Sequence, residues 1–178
     1  TFSIMRCFTM KEYDLQKLIN NPEVVEQKIK EFTEKKVLFT QEIDKEEIKG
    51  HILKAENNLR FVATIAEKKF FDWAITGCYY TCYHAALALI QSRGHTSKNH
   101  LSTLCILIKE FYKKGLTKED IEILSNFLDY EDVLFYVETK NKREDATYST
   151  KTLFDKKEVE KLRIQAAMFV NKIKDILE

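Results

Sequence analysis

Two stretches of the chain hold residue types able to do chemistry. The first, RGHTSKNH (93–100), sets Arg93, His95, Lys98 and His100 beside the opening of a helix. The free N–H groups of a helix N-terminus attract phosphate, so Arg93 and Lys98 are candidate phosphate ligands; the plainer reading is a solvated turn. The second is one face of an apolar helix, where Trp73, Gly77, Tyr80, His84 and Gln91 recur at helical steps. Tyr80 and His84 are four apart and can touch. A titratable residue in so apolar a helix must find a hydrogen-bond partner. Either Tyr80 or a neighbouring helix satisfies His84 as a core residue, or His84 lines a polar pocket with His100 and Arg143.

A third stretch, NKREDATYST (141–150), is polar between apolar flanks at Phe135, Val137, Leu153 and Phe154. Lys140, Lys142 and Arg143 are answered by Glu138, Glu144 and Asp145. Such a run reads, on its residues alone, as a solvated helix end.

Several chemistries are excluded. There is no G-x-G-x-x-G, no P-loop, no H-E-x-x-H and no G-x-S-x-G, which removes the common nucleotide-fold and hydrolase readings. His51, His84, His95 and His100 do not combine with the cysteines at zinc-ligand spacing, so neither a metal nor a cofactor is expected. None of Cys7, Cys78, Cys82 and Cys105 forms a C-x-x-C pair, and Cys78 and Cys82, four apart in an apolar run, read as buried thiols in a reducing compartment. The net charge of +1 gives no bulk drive towards nucleic acid or an anionic membrane. Apolar runs fall short of a membrane span, and TFSIMRCF is too short for a signal peptide. The expectation is a cytoplasmic protein.

The elements that must position these residues are helical. One proline and four glycines in 178 residues leave too few turn residues for a sandwich or barrel. Asn21-Pro22 marks a helix start, with Val25, Ile29 and Phe32 on its stripe. Asp44-x-x-Glu47, Thr117-x-x-Asp120 and Asp155-x-x-Glu158 read as capping boxes. The first opens a long helix with Ile48, Ile52, Ala55, Leu59 and Val62 as a bundle seam. The segment from about Phe71 to Arg93 is apolar nearly all round, which predicts the enclosed central helix, ended by Gly94. Ser97 or Asn99 caps the next helix. The fold class is all-α: an antiparallel up-and-down bundle of four to five helices over 45–178, with an N-terminal helical extension over 1–44. Residues 39–44 are the expected joint.

The stretch GCYYTCYHAALALIQSRGHTSKNH resembles the hallmark helix pair of the HEPN domain, in a compact branch of mostly uncharacterised prokaryotic members. The resemblance rests on Tyr79-Tyr80, Tyr83-His84-Ala85-Ala86, Gly94 and Lys98-x-His100. Lys54-Ala55-Glu56 upstream, REDATYS downstream and the closing QAAMFVNKIKDIL extend it over roughly 45–178. HEPN domains are helical bundles, usually dimeric. Many are metal-independent endoribonucleases that use Arg, four to six residues, then His. Many are paired with a small nucleotidyltransferase as toxin and antitoxin.

The resemblance therefore implies an RNA- or nucleotide-binding protein, a homodimer, with Arg143, Tyr148, His100 and His84 as catalytic candidates. Arg93, Lys98 and Lys142 are the phosphate-binding candidates. The chain departs from the pattern at one place: Tyr148 stands where a ribonuclease has histidine, and an unperturbed phenol titrates near pH 10. A composite site, with His100 or His84 lending the base to Arg143, is one resolution. The other is a non-catalytic partner of a nucleotidyltransferase, with Tyr148 as contact or nucleotide acceptor. Arg93-x6-His100 also meets the spacing, but it bridges a turn and reads as a coincidence of pattern.

Overall fold

A computed structural model of the chain describes residues 15–126 and 154–178. Its elements are α1 (Pro22–Glu34), β1 (Leu38–Thr40), α2 (Lys45–Glu67), α3 (Phe71–Gln91), β2 (His95–Ser97), α4 (His100–Phe111) and α5 (Lys156–Leu177). Residues 15–20 and 118–126 are helical as well. The fold is all-α, as the residue pattern implies.

Local chemistry sets most helix ends. Asp155 and Glu158 form the reciprocal capping box, and Thr117 and Asp120 exchange the same two bonds. At Asp44 only half the box forms. Its carboxylate accepts from the N–H groups of Glu46 and Glu47, but the Glu47 carboxylate accepts from Gln41 Nε2 at 3.1 Å instead of turning back to its cap. Asn21 precedes Pro22 at the start of α1 without a side-chain cap bond. Asn99 caps α4, accepting from Ser102 N–H at 3.1 Å.

α3 is the centre. It packs against α2, α5 and α4, and α2 also packs on α5. Val62 of α2 meets α3 at Gly77, where a Cβ would lie 2.5 Å from Val62 Cγ2. Glycine there lets the two helices close on each other. Tyr79, Ile75, Leu89 and Ile90 of α3 are fully enclosed with Phe111 of α4 and Phe169 of α5. Each such side chain contributes about 1.5–3 kcal/mol of apolar burial. The expectation that α3 is enclosed all round is corrected on one flank, where Trp73 is 63% and Tyr80 45% exposed.

A two-stranded antiparallel sheet is the element that periodicity did not predict. Leu38 pairs with Ser97, Phe39 with Thr96 and Thr40 with His95. Three-residue strands are too short to leave an alternating pattern. The segment expected as a joint is thus partly strand, and the turn at 93–100 is partly its partner. Gly94 makes the closure fit: its φ is +72°, and a Cβ would meet the Gln41 carbonyl oxygen at 2.9 Å. The N-terminal segment lies against the bundle. Val25 of α1 is buried, Lys109 of α4 pairs with Glu26 at 3.0 Å, and Leu15, Leu18 and Leu38 join the core cluster.

Among the described residues, Cys78, Cys82 and Cys105 are free, buried thiols. Burial pushes Cys78 and Cys105 up to about 12 and Cys82 well above its ordinary value. They are protonated and unreactive at neutral pH. Among the described residues no helix is long and apolar enough to cross a membrane.

Candidate functional site: an imidazole and tyrosine cluster

His51 comes from α2, Tyr79, Tyr83 and His84 from α3, and His100 is the first residue of α4. The sheet holds His100 in place. Ser97 at the end of β2 and Ser102 in the first turn of α4 share a 2.6 Å hydrogen bond in a buried setting, and Ser102 is also held by Asn99. The start of α4 is therefore pinned to a strand that is pinned to the N-terminal segment.

Tyr79 Oη lies 2.9 Å from both ring nitrogens of His100. Which nitrogen it serves depends on the tautomer. Tyr83 stacks on Tyr79 at 5.9 Å with the rings 9° apart and meets His100 edge-on at 4.5 Å. On its other side Tyr83 approaches His84 at 6.4 Å. His84 does not depend on Tyr80, which packs edge-on against Tyr79. The partner of His84 is His51, with Nδ1 to Nδ1 at 2.9 Å and ring centroids 5.1 Å apart.

That bond constrains both rings. Two neutral imidazoles can make it only as opposite tautomers, one donating from Nδ1 and the other accepting. A second proton would set two N–H groups head-on, so the pair titrates as a unit. Burial lowers His84 to about 4, helped by His51 and then Lys54. Burial also lowers His51, with Glu47 opposing and Lys54 adding to the effect. Both rings are neutral at pH 7, and His84 is a weak proton acceptor there.

A pH dependence of stability follows. Unfolded imidazoles take up protons near pH 6.5, whereas folded His84 does so only near pH 4. Between those values the unfolded chain holds more protons, so acid favours unfolding. The stabilisation is complete above pH 6.5 and is lost as the pH falls towards 4. With both rings half-exposed and partly screened, the expected loss is about 1–2 kcal/mol. Urea unfolding at pH 7 and pH 5 measures it, and His84→Gln should flatten the difference.

The other candidates are placed as follows. Arg93 lies with its guanidinium 5.6 Å from the centroid of the Phe111 ring. Phe111 closes α4 at the end opposite His100, so Arg93 and His100 serve opposite ends of that helix. Lys98 lies 5.1 Å over the Phe39 ring on β1. Such exposed cation–π contacts contribute about 0.5–1 kcal/mol each. His95 is held in β2 opposite Thr40, and burial lowers it, with Glu110 opposing. Lys142, Arg143 and Tyr148 lie outside the described residues.

His51 and the two tyrosines around His100 were not legible as site residues. His51 had one signal: it follows Ile48 by three and precedes Ala55 by four, at the edge of the inward stripe of α2.

Comparison with known proteins places the chain as a whole. A protein named "Putative toxin MJ0142" from Methanocaldococcus jannaschii is 29% identical over 133 residues, which is 75% of this chain and 83% of that protein. "Putative toxin MJ0605" from the same organism is 28% identical over 143 residues, 80% of this chain and 97% of that protein. The HEPN domain model matches residues 48–176, from the first turn of α2 to the last turn of α5. The chain belongs to the HEPN domain family.

Proposed function

We propose that this protein is a toxin-class HEPN endoribonuclease that cleaves cytoplasmic RNA without a metal ion, with His100 as the acid–base group. The observation that carries the reading is the Tyr79 Oη contact to the His100 ring at 2.9 Å. It holds a half-exposed imidazole at a helix N-terminus, where phosphate is attracted. His100 takes the proton of the ribose 2′-hydroxyl, and the 2′-oxygen attacks phosphorus. The bond from phosphorus to the 5′-oxygen breaks as the His100 imidazolium hands its proton to that leaving oxygen, giving a 2′,3′-cyclic phosphate and a 5′-hydroxyl and returning His100 to its neutral form. Arg143 balances charge on the phosphate and Tyr148 donates a hydrogen bond to it. His84 is too weak a base for this step and works as a neutral hydrogen-bonding group. Lys98 and Lys142 are the phosphate contacts. In this reading residues 45–178 do the chemistry, and the described part of the 1–44 extension, residues 15–44, buttresses α4 and holds His100.

The test is incubation with a broad RNA panel in EDTA. The expected result is 2′,3′-cyclic phosphate ends; their absence across the panel removes the enzyme reading. One observation favours a second reading. A tyrosine follows Arg143 at the position where histidine is wanted. The protein is then the partner of a minimal nucleotidyltransferase and takes a nucleotide on Tyr148, visible as a mass increase that Tyr148→Phe abolishes.

A further inference from the structure

The HEPN match begins at residue 48, so the segment that holds the start of α4 lies outside it. That segment grips α4 at both ends. In the last turn, Lys109 pairs with Glu26 of α1 at 3.0 Å. At the first turn the grip runs through the sheet. The β1–β2 ladder continues on either side, with Lys98 N–H donating to the Val37 carbonyl and Gln41 N–H to the Gly94 carbonyl, each at 2.9 Å. These two bonds bracket the whole stretch from Gly94 to Lys98, which ends two residues before His100.

A pair of hydroxyls relays the ladder to His100. Ser97 and Ser102 are both buried, and their Oγ atoms lie 2.6 Å apart. One hydroxyl donates to the other, and the other donates to the Asn99 carbonyl, which lies 2.8 Å from Ser97 Oγ and 2.7 Å from Ser102 Oγ. Unmaking a buried polar contact strands its partner without water, so the end of β2 and the first turn of α4 move together. β1 itself adds little to the core. Of its three residues only Leu38 joins the buried cluster, and residues 41–47 after it are exposed. The strand can therefore leave β2 without opening the packing of α2, α3 and α5.

We propose that β1 is a detachable positioning clasp for His100. Its pairing with β2, relayed by the Ser97 and Ser102 hydroxyls, sets where the imidazole sits, and its release switches the site off while the bundle stays folded. The effect on cleavage rests on the reading of His100 given above; the effect on the position of the ring does not. Alternation along an antiparallel pair fixes which residue holds the clasp. Val37 and Gln41 direct backbone groups at β2, so Phe39, two residues from each, does so as well. The N–H groups of Leu38 and Thr40 point away from β2. Phe39 is thus a positioning residue through its backbone, whereas its ring lies beneath Lys98.

Prolines at neighbouring positions test it. Phe39→Pro removes an N–H that the ladder uses. Thr40→Pro removes one directed away from β2, where an edge strand accepts proline. Phe39→Ala loses the ring and keeps the N–H. Each full-length variant is followed by far-UV circular dichroism, by kcat and KM for metal-independent RNA cleavage, and by the His100 ring signals in proton–carbon NMR spectra, assigned with His100→Gln. Phe39→Pro is expected to stay folded and to lose about 10²-fold in kcat with KM within about twofold, the scale of a misplacement of roughly 1 Å. Its His100 ring signals should shift, because that ring meets Tyr83 edge-on at 4.5 Å. Thr40→Pro and Phe39→Ala should match wild type in kcat and in those signals. Wild-type kcat and unmoved His100 signals in Phe39→Pro overturn the proposal. So does an unfolded Phe39→Pro, which makes β1 part of the core, and so do equal effects of the two prolines, which report strain in the chain rather than the ladder. A wild type that cuts no RNA removes the ribonuclease reading alone. The ring signals then decide the clasp, for it if Phe39→Pro moves them and Thr40→Pro does not, against it otherwise.

Discussion

Replacing His100 with alanine is expected to slow metal-independent RNA cleavage by about 10²- to 10⁴-fold, the usual contribution of a positioned acid–base group. The reason is the division of labour among the imidazoles. His84 is tied to His51 at 2.9 Å and lowered to about 4. His100 instead opens α4, half-exposed, with the Tyr79 hydroxyl against its ring. His100→Gln separates chemistry from structure. Glutamine keeps a hydrogen-bonding group near Tyr79 but cannot take the 2′-hydroxyl proton, so it should be as slow as alanine while unfolding like wild type. His84→Ala should cost less activity than either. Tyr79→Phe removes the hydroxyl that orients the ring, and its signature is a displaced pH–rate profile together with a lower rate. Wild-type cleavage by His100→Ala, read from cyclic-phosphate ends in EDTA, would remove His100 from the mechanism.

Phe169→Ala is expected to cost about 3–5 kcal/mol of folding stability. Phe169 lies on α5 with no exposed surface, among the largest enclosed side chains of the core. It sits on the stripe by which α5 packs against α3. Truncation removes the buried ring and leaves a cavity in a close-packed site. For a chain of this size each kcal/mol moves the melting temperature by about 2–4 °C, so the shift is roughly 10 °C. Met168 is the internal control. It is the preceding residue and is 62% exposed, so Met168→Ala should stay within about 0.5 kcal/mol. Equal effects for the two, by thermal or urea unfolding, would place the wrong face of α5 inside.

That contrast marks what could be read from the sequence. A stripe of this kind was legible on α2, where Ala55 and Val62 are buried, because a 3.6-residue period reports which side of a helix faces the core. The caps at Thr117 and Asp155 were legible because both partners lie within one turn. Asp44 shows where that rule ends: Gln41, outside the motif, takes the Glu47 carboxylate that the box would have used. The same limit governs the site. His84 could be predicted to need a partner, and a neighbouring helix was one of the two options. That the partner is His51, thirty-three residues earlier, follows from how α2 and α3 close at Gly77.

Among the described residues, local pattern was enough to place the helices, their inward faces and most of their ends, and the order of short motifs was enough for the family. All of these are written in short-range spacing and in the order of local motifs. Tertiary structure alone decided the rest. It joined β1 to β2 through three residue pairs too short to show a period. It rested Arg93 on Phe111 and Lys98 on Phe39. It also set Tyr79 against His100 and His51 against His84. Each of these is a contact between groups on different elements, held within a few ångströms. The relative placement of whole helices sets such distances, and no spacing along one chain segment encodes it.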